Sequence, residues 1–215
     1  MKPNLLLFSI VTLAEIVCSY LGVWQGVYFF KPLIMLSLLY WTRHIRHQHL
    51  WLWVGMWFAL GGDVLLMIRE RDLFVVGLGS FLVMQLCYIV AFAKTFTAAG
   101  KAQVTTWRVA LPFAAYGLSF LAVLYPALVG TPFLIPVIAY SVCLCSMGVF
   151  AALRRHSVTD SSYGWVLVGA ILFILSDSCI AFNKFLQPFE ASTLVVMSTY
   201  AAAQWLIVWG MYRKN

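Results

Sequence analysis

Residues 50–68 read LWLWVGMWFALGGDVLLMI, an apolar run without proline and with one ionisable side chain, Asp63. A run of this length is what an α-helix needs to cross the hydrocarbon core of a bilayer, about 30 Å thick. Its tryptophans crowd the first half, and such amphipathic rings prefer the headgroup level. At about 1.5 Å per residue, Asp63 then lies roughly 20 Å from the Leu50 end. A carboxylate at that depth costs about 2.5–3.5 kcal/mol even on insertion scales, so it marks a polar interior or a functional site.

The rest of the chain repeats this pattern. Apolar runs fall at about 4–22, 28–42, 50–68, 74–96, 107–125, 131–152, 164–186 and 192–212, separated by polar or Gly/Pro punctuation. The sequence therefore predicts an all-α polytopic membrane protein of about eight spans, a single transmembrane domain over 1–215. The second span is short and is expected to extend into its flanks or tilt. Composition agrees: of 215 residues, 63% are hydrophobic and 10% charged, and mean hydropathy is +0.92, whereas a soluble domain is about a quarter charged. Phe58-Ala-Leu-Gly-Gly-Asp63 resembles Phe173-Ile-Leu-Ser-Asp177. Each precedes a span bearing Tyr and Gln, so two four-helix halves related in parallel are a weak possibility that the spacing leaves open.

The net charge of +7 forms no stripe or nucleic-acid motif, and its role is topological. With eight spans, one side holds Lys2, Arg43, Arg46, Lys94, Lys101, Arg108, Arg154, Arg155, Arg213 and Lys214, the other only Lys31, Arg69, Arg71 and Lys184. The positive-inside rule then puts both termini in the cytoplasm, in a setting such as the bacterial inner membrane. Met1-Lys2 and the following apolar run look like a signal peptide, but Glu15 interrupts the run and no A-x-A-like site follows, which predicts a retained first helix. Cys18, Cys87, Cys143, Cys145 and Cys179 all fall within apolar runs and read as small buried hydrophobes.

Depth brings the polar residues together. Counted from the cytoplasmic ends, Glu15 and Lys31 lie roughly 16 Å deep and Asp63 and Asp177 roughly 20 Å, with Gln85, Tyr88, Tyr200 and Gln204 at roughly 12–18 Å. Phe74, Gly77, Phe81, Gln85 and Tyr88 follow steps of three and four, as do Thr193, Met197, Tyr200 and Gln204, and Thr12, Glu15 and Ser19. Each set shares one helix face. These faces are expected to line a common polar cavity, with the fifth and sixth spans, which lack intramembrane charge, as scaffold. The simpler reading is that Lys31 pairs with Glu15 or Asp63 and locks helices together. One lysine cannot neutralise three acids, however, so a carboxyl is expected to stay protonated and able to donate.

Other chemistries find less support. His44, His47 and His49 are compact but have no neighbouring carboxylate or cysteine, so no metal is expected there. Ser37, Ser176 and Ser178 have no histidine at matching depth, which argues against a hydrolase triad. No phosphate-binding Gly loop or other cofactor motif is present, and no cofactor is expected.

Taken together, Lys31-Pro32-Leu33, Gly62-Asp63-Val-Leu-Leu, Phe74-x-x-Gly77-Leu78-x-x-Phe81, Tyr88, Gly169-Ala-x-x-Phe173-x-x-Ser176-Asp177 and Tyr200-x-x-x-Gln204-x-Leu206-Ile207 resemble the YhhN-like lysoplasmalogenase family across nearly the whole chain. The resemblance implies eight helices and hydrolysis of the vinyl-ether bond of a lysophospholipid to a fatty aldehyde and a glycerophospho-headgroup. Its paired aspartates correspond to Asp63 and Asp177, read as acid and base respectively. Gln85, Tyr88, Tyr200 and Gln204 would orient water and substrate, Lys31 would hold the lipid phosphate and Glu15 would tune the group. Gln85 departs from the family's frequent histidine. The competing reading is a proton-coupled transporter of lipid or small molecules built on the same midplane acids. No proline lies near Asp63 or Asp177 to break their helices, which weakens it.

Overall fold

The structure is a computed structural model and describes residues 5–68 and 73–213, leaving aside the side chains of residues 101–103. Lys2, Arg69, Arg71 and Lys214, counted above in the charge on each side, lie outside the described residues. The chain forms α1 (Leu5–Tyr20), α2 (Trp24–Thr42), a 3-10 turn (Arg43–Ile45), α3 (Leu50–Met67), α4 (Phe74–Ala93), α5 (Ala98–Gln103), α6 (Thr106–Leu128), α7 (Leu134–Ala152), α8 (Asp160–Phe185) and α9 (Ser192–Tyr212). Six of these, α3, α4 and α6 to α9, are long and apolar enough to cross a membrane. The protein is a polytopic all-α membrane protein. Helix α1 is apolar but shorter at 16 residues. Helix α2 begins at Trp24, a turn earlier than its apolar run, and so reaches 19 residues.

The punctuation that ended each run has a physical counterpart. Gly22 between α1 and α2, and Gly130 between α6 and α7, adopt φ of 69° and 80°, left-handed values that glycine reaches at no steric cost. Thr159 caps α8 by accepting from the Ser162 amide at 3.3 Å, and Asp160 sits in the first turn, where negative charge suits the helix dipole. The short α5 was not expected. It follows Thr97, whose hydroxyl accepts from the Gly100 amide at 3.0 Å, and its Ala-rich turn is a good helix former once capped.

Two helix pairs make the most extensive contacts, α3 with α4 and α8 with α9. Each is stitched by a serine: Ser80 donates to the Phe58 carbonyl at 2.6 Å, and Ser176 to the Val196 carbonyl at 3.1 Å. The buried core draws on α1, α2, α3, α4, α7, α8 and α9. Helix α6 buries only Leu124 and Leu128 along its length and stands at the periphery. Outward residues such as Leu13, Leu118 and Ile135 are exposed, as a lipid-facing surface requires.

A clamp closes the end of the bundle where α7 meets α8. Arg154 is fully buried, donates to Thr95 at 3.1 Å and Ser162 at 3.0 Å, and lies over the Phe92 ring. Ser162 in turn donates to the Gly210 carbonyl at 2.7 Å, so α4, α7, α8 and α9 are tied at one level. Burial pulls this guanidinium down to about 10, which still leaves it charged at neutral pH.

Candidate active site

The faces inferred from three-four spacing point inward. On α4, Gly77, Phe81, Gln85 and Tyr88 are buried; on α9, Met197, Tyr200 and Gln204 are buried. Close approach of α3 to α4 depends on Gly55, where an added Cβ would stand 2.7 Å from the Tyr88 ring. With the backbones that close, the Tyr88 hydroxyl reaches across to α9 and donates to Gln204 Oε1 at 2.7 Å. One turn nearer the start of α9, Tyr200 donates to Asp63 Oδ2 at 2.7 Å. Asp63 is only 3% exposed, and the Phe81, Phe173 and Tyr200 rings stack edge to face beside it with centroids 5.8–6.3 Å apart.

Asp177 has a different setting. It is half-buried and accepts from the Tyr140 hydroxyl at 2.5 Å. Its neighbour Ser178 shares a 2.7 Å hydrogen bond with Tyr116. Asp177 lines a narrow apolar groove of about 50 Å³ with Phe81, Tyr116, Gly117, Phe120, Tyr140 and Leu144 among its walls. The fifth and sixth spans are therefore more than scaffold, since α6 and α7 supply Tyr116 and Tyr140. Tyr140 escaped the sequence reading because it stands alone in an apolar run. The two aspartates are near enough for their charges to interact.

Next to the groove is a polar vestibule of about 660 Å³, lined by Glu15, Ser19, Trp24, Lys31, Asn183, Lys184 and Thr193 among others. Leu66, Phe74 and Ile180 line both spaces, so the vestibule and the groove adjoin. Glu15 is 1% exposed, and its Oε1 accepts from Ser19 at 3.0 Å. The Lys31 charge acts on both Glu15 and Asp63. Asp63 itself lines neither space, so the two carboxylates expected to share one cavity divide between an enclosed position and an open one. Gln85 is completely buried, with no partner among the described residues for either side-chain amide atom.

The histidines lie away from these features: His44 packs edge-on against Tyr212 and His47 accepts from Arg46 at 3.3 Å. Cys87 and Cys143 are buried, while Cys18, Cys145 and Cys179 are half-buried, less enclosed than their apolar context suggests; all five are free thiols.

Comparison with known proteins supplies a family. The profile of the YhhN family matches residues 26–211. The chain is 33% identical over 160 residues to lysoplasmalogenase TMEM86A of Homo sapiens, covering 73% of this chain and 62% of that protein. It is 34% identical over 170 residues to a lysoplasmalogenase of Mycobacterium bovis, covering 78% and 62%, and 33% identical over 185 residues to lysoplasmalogenase TMEM86B of Rattus norvegicus, covering 86% and 71%. The chain thus spans about 62% of the length of the first two relatives. No solved structure matches it.

Proposed function

The chain belongs to the YhhN family, and we propose that it is a membrane hydrolase that cleaves the vinyl-ether bond of lysoplasmalogens with Asp63 and Asp177 as its acid–base pair. One observation carries this reading: Asp177, held by Tyr140, opens on an apolar groove that adjoins a polar vestibule containing Lys31 and Lys184. A single-chain phospholipid has the same division into apolar chain and charged head, with its vinyl ether near the junction. The names of the matched relatives point the same way.

The groove at about 50 Å³ has room for a few waters, each needing about 10–15 Å³ of such space, and none for a fatty chain. A fatty chain therefore enters laterally by displacing α6, the membrane-spanning helix with fewest buried residues. The phosphate rests on Lys31, whose charge reaches the site. The basic ends of the bundle face the cytoplasm and the vestibule faces the opposite side.

Vinyl-ether hydrolysis begins with protonation of the outer alkene carbon. A lone charge is costliest where burial is complete, so the neutral acid role falls to enclosed Asp63, which gives its proton to that carbon once the entering chain opens the groove past Phe81 to it. The resulting oxocarbenium ion is captured at the ether-bearing carbon by water. Asp177, on the groove, takes one of the water's protons, a division of labour shared with glycosidases. The hemiacetal then breaks its bond to the glycerol oxygen. Asp177 returns its proton to that oxygen, the hemiacetal hydroxyl proton goes back to Asp63, and aldehyde and alcohol leave. Tyr200 and Tyr140 orient the two carboxyls, while Gln85, Tyr88 and Gln204 orient water and substrate.

Purified protein is expected to release aldehyde from a lyso vinyl-ether lipid. Asp63→Asn and Asp177→Asn should each reduce kcat by about 10²–10⁴-fold, the usual contribution of a positioned acid or base, while keeping wild-type helicity by circular dichroism. Undiminished turnover in both folded variants would rule out the two-carboxylate mechanism. Substrate-dependent proton flux in liposomes without aldehyde release would instead favour a proton-coupled transporter.

A further inference from the structure

The vestibule holds an acid that the proposed chemistry does not use. Glu15 is buried, at 1% exposure, yet it forms part of the vestibule wall. Ser19 satisfies Oε1, whereas buried Oε2 has no donor among the described residues. The Lys31 charge that acts on Glu15 also acts on Asp63, so it is divided between two acids. A buried carboxylate is tolerated when it is both paired and hydrogen-bonded, and Oε2 lacks the second of these.

We propose that Glu15 is the acceptor for the ammonium of the substrate's headgroup, so that the vestibule selects zwitterionic phosphoethanolamine-type heads, phosphate toward Lys31 and ammonium on Glu15 Oε2. The geometry that supports this is the alternation of charge on neighbouring helices. Glu15 on α1 and Lys31 on α2 lie on either side of the turn at Gly22, both facing the same space. A headgroup with an anion and a cation joined by a short linker matches that pair, and its N–H supplies the donor that Oε2 lacks. An anionic head leaves Oε2 unsatisfied and brings like charge to Glu15. Discrimination by an unpaired buried polar group is steep, because the wrong ligand strands it.

This inference rests on the lysophospholipid reading above, and the test separates the two. The full chain in lipid nanodiscs receives two vinyl-ether lysophospholipids with the same chain and phosphate, one with an ethanolamine head and one with an ethylene glycol head, whose terminal hydroxyl replaces the ammonium and removes the positive charge at nearly the same size. Wild type is expected to favour ethanolamine by about tenfold or more in kcat/KM, expressed in KM, as a charge-assisted hydrogen bond implies. Glu15→Gln should bring the ratio close to unity, and Glu15→Asp should keep a preference. A wild-type ratio near unity, or a full preference surviving in Glu15→Gln, overturns the assignment. The wild-type ratio decides alone if Glu15→Gln does not fold.

Saturated alkyl-ether lysophospholipids with the same two heads lack the alkene and report binding without turnover, through tryptophan fluorescence. An ethanolamine preference in binding, lost in Glu15→Gln, upholds the headgroup site even where no vinyl-ether lipid yields aldehyde; that combination would defeat the hydrolase reading alone. Equal binding of both heads defeats the headgroup site alone.

Discussion

Asp63 and Asp177 each stand on the first helix of one of the two closest helix pairs, and each accepts a hydrogen bond from a tyrosine, but their surroundings differ. Tyr200 comes to Asp63 from α9 in the other half of the chain, beside the Tyr88–Gln204 bond that also crosses between halves. Tyr140 comes to Asp177 from the adjacent α7, and the carboxyl faces a groove walled on one side by the peripheral α6. One carboxyl is thus fixed by the central packing of the bundle, the other lies at its margin. The same residue type receives two environments because different helices pack across the two helix pairs, α9 at Asp63 and α7 with α6 at Asp177.

The largest expected effect separates the two tyrosines. Tyr200→Phe leaves Asp63 without its donor in a closed interior, where an unsatisfied buried polar group costs about 1–3 kcal/mol. Tyr140→Phe leaves Asp177 able to turn toward the groove, and about 1 kcal/mol or less is expected. Thermal unfolding in detergent would show the ordering, and kcat should follow it. Equal losses in both variants would mean that the groove is as closed to solvent as the Asp63 site, and the comparison would fail.

Much of this was legible beforehand from two regularities. Apolar length against bilayer thickness gave the six long apolar helices among the eight spans expected, and three-four spacing gave the inward faces of α4 and α9, down to Tyr88, Tyr200 and Gln204. The depth count placed Asp63 and Tyr200 in one slab, and the hydrogen bond between them bears that out. Depth is only one coordinate, however. Whether an acid faces the centre or the margin depends on its angle around the bundle, which is set by how α6 and α7 dock, and apolar helices with little polar periodicity do not reveal that. For the same reason Tyr140 passed unnoticed in α7, and Asp63 and Asp177 looked alike. The start of α2 was missed by a turn because its first residues, Trp24 to Val27, mix polar Gln25 and Gly26 into the run.

A smaller effect probes the same contrast through backbone packing. At Gly55 an added methyl would stand 2.7 Å from two carbons of the Tyr88 ring and 3.1 Å from Cys87 Cβ. Tyr88 is fully buried, and its hydroxyl is committed to Gln204, so the ring has nowhere to retreat without breaking that bond. Gly55→Ala should therefore cost about 1–3 kcal/mol, as overpacking of a well-filled core does, and lower kcat through the Asp63 side. Gly117 on the marginal α6 offers the matched test: its added methyl would meet only Cys145 Sγ at 2.8 Å, with the next atom at 3.9 Å. Both helix and thiol can give, since α6 is peripheral and Cys145 half-buried, while replacing a helical glycine by alanine favours the helix by about 0.5–1 kcal/mol. Gly117→Ala should thus leave the melting temperature near wild type or slightly above it and act mainly on KM through the narrowed groove. A Gly117→Ala variant as unstable as Gly55→Ala would show α6 to be fixed firmly against α7, leaving a fatty chain no lateral route to Asp177.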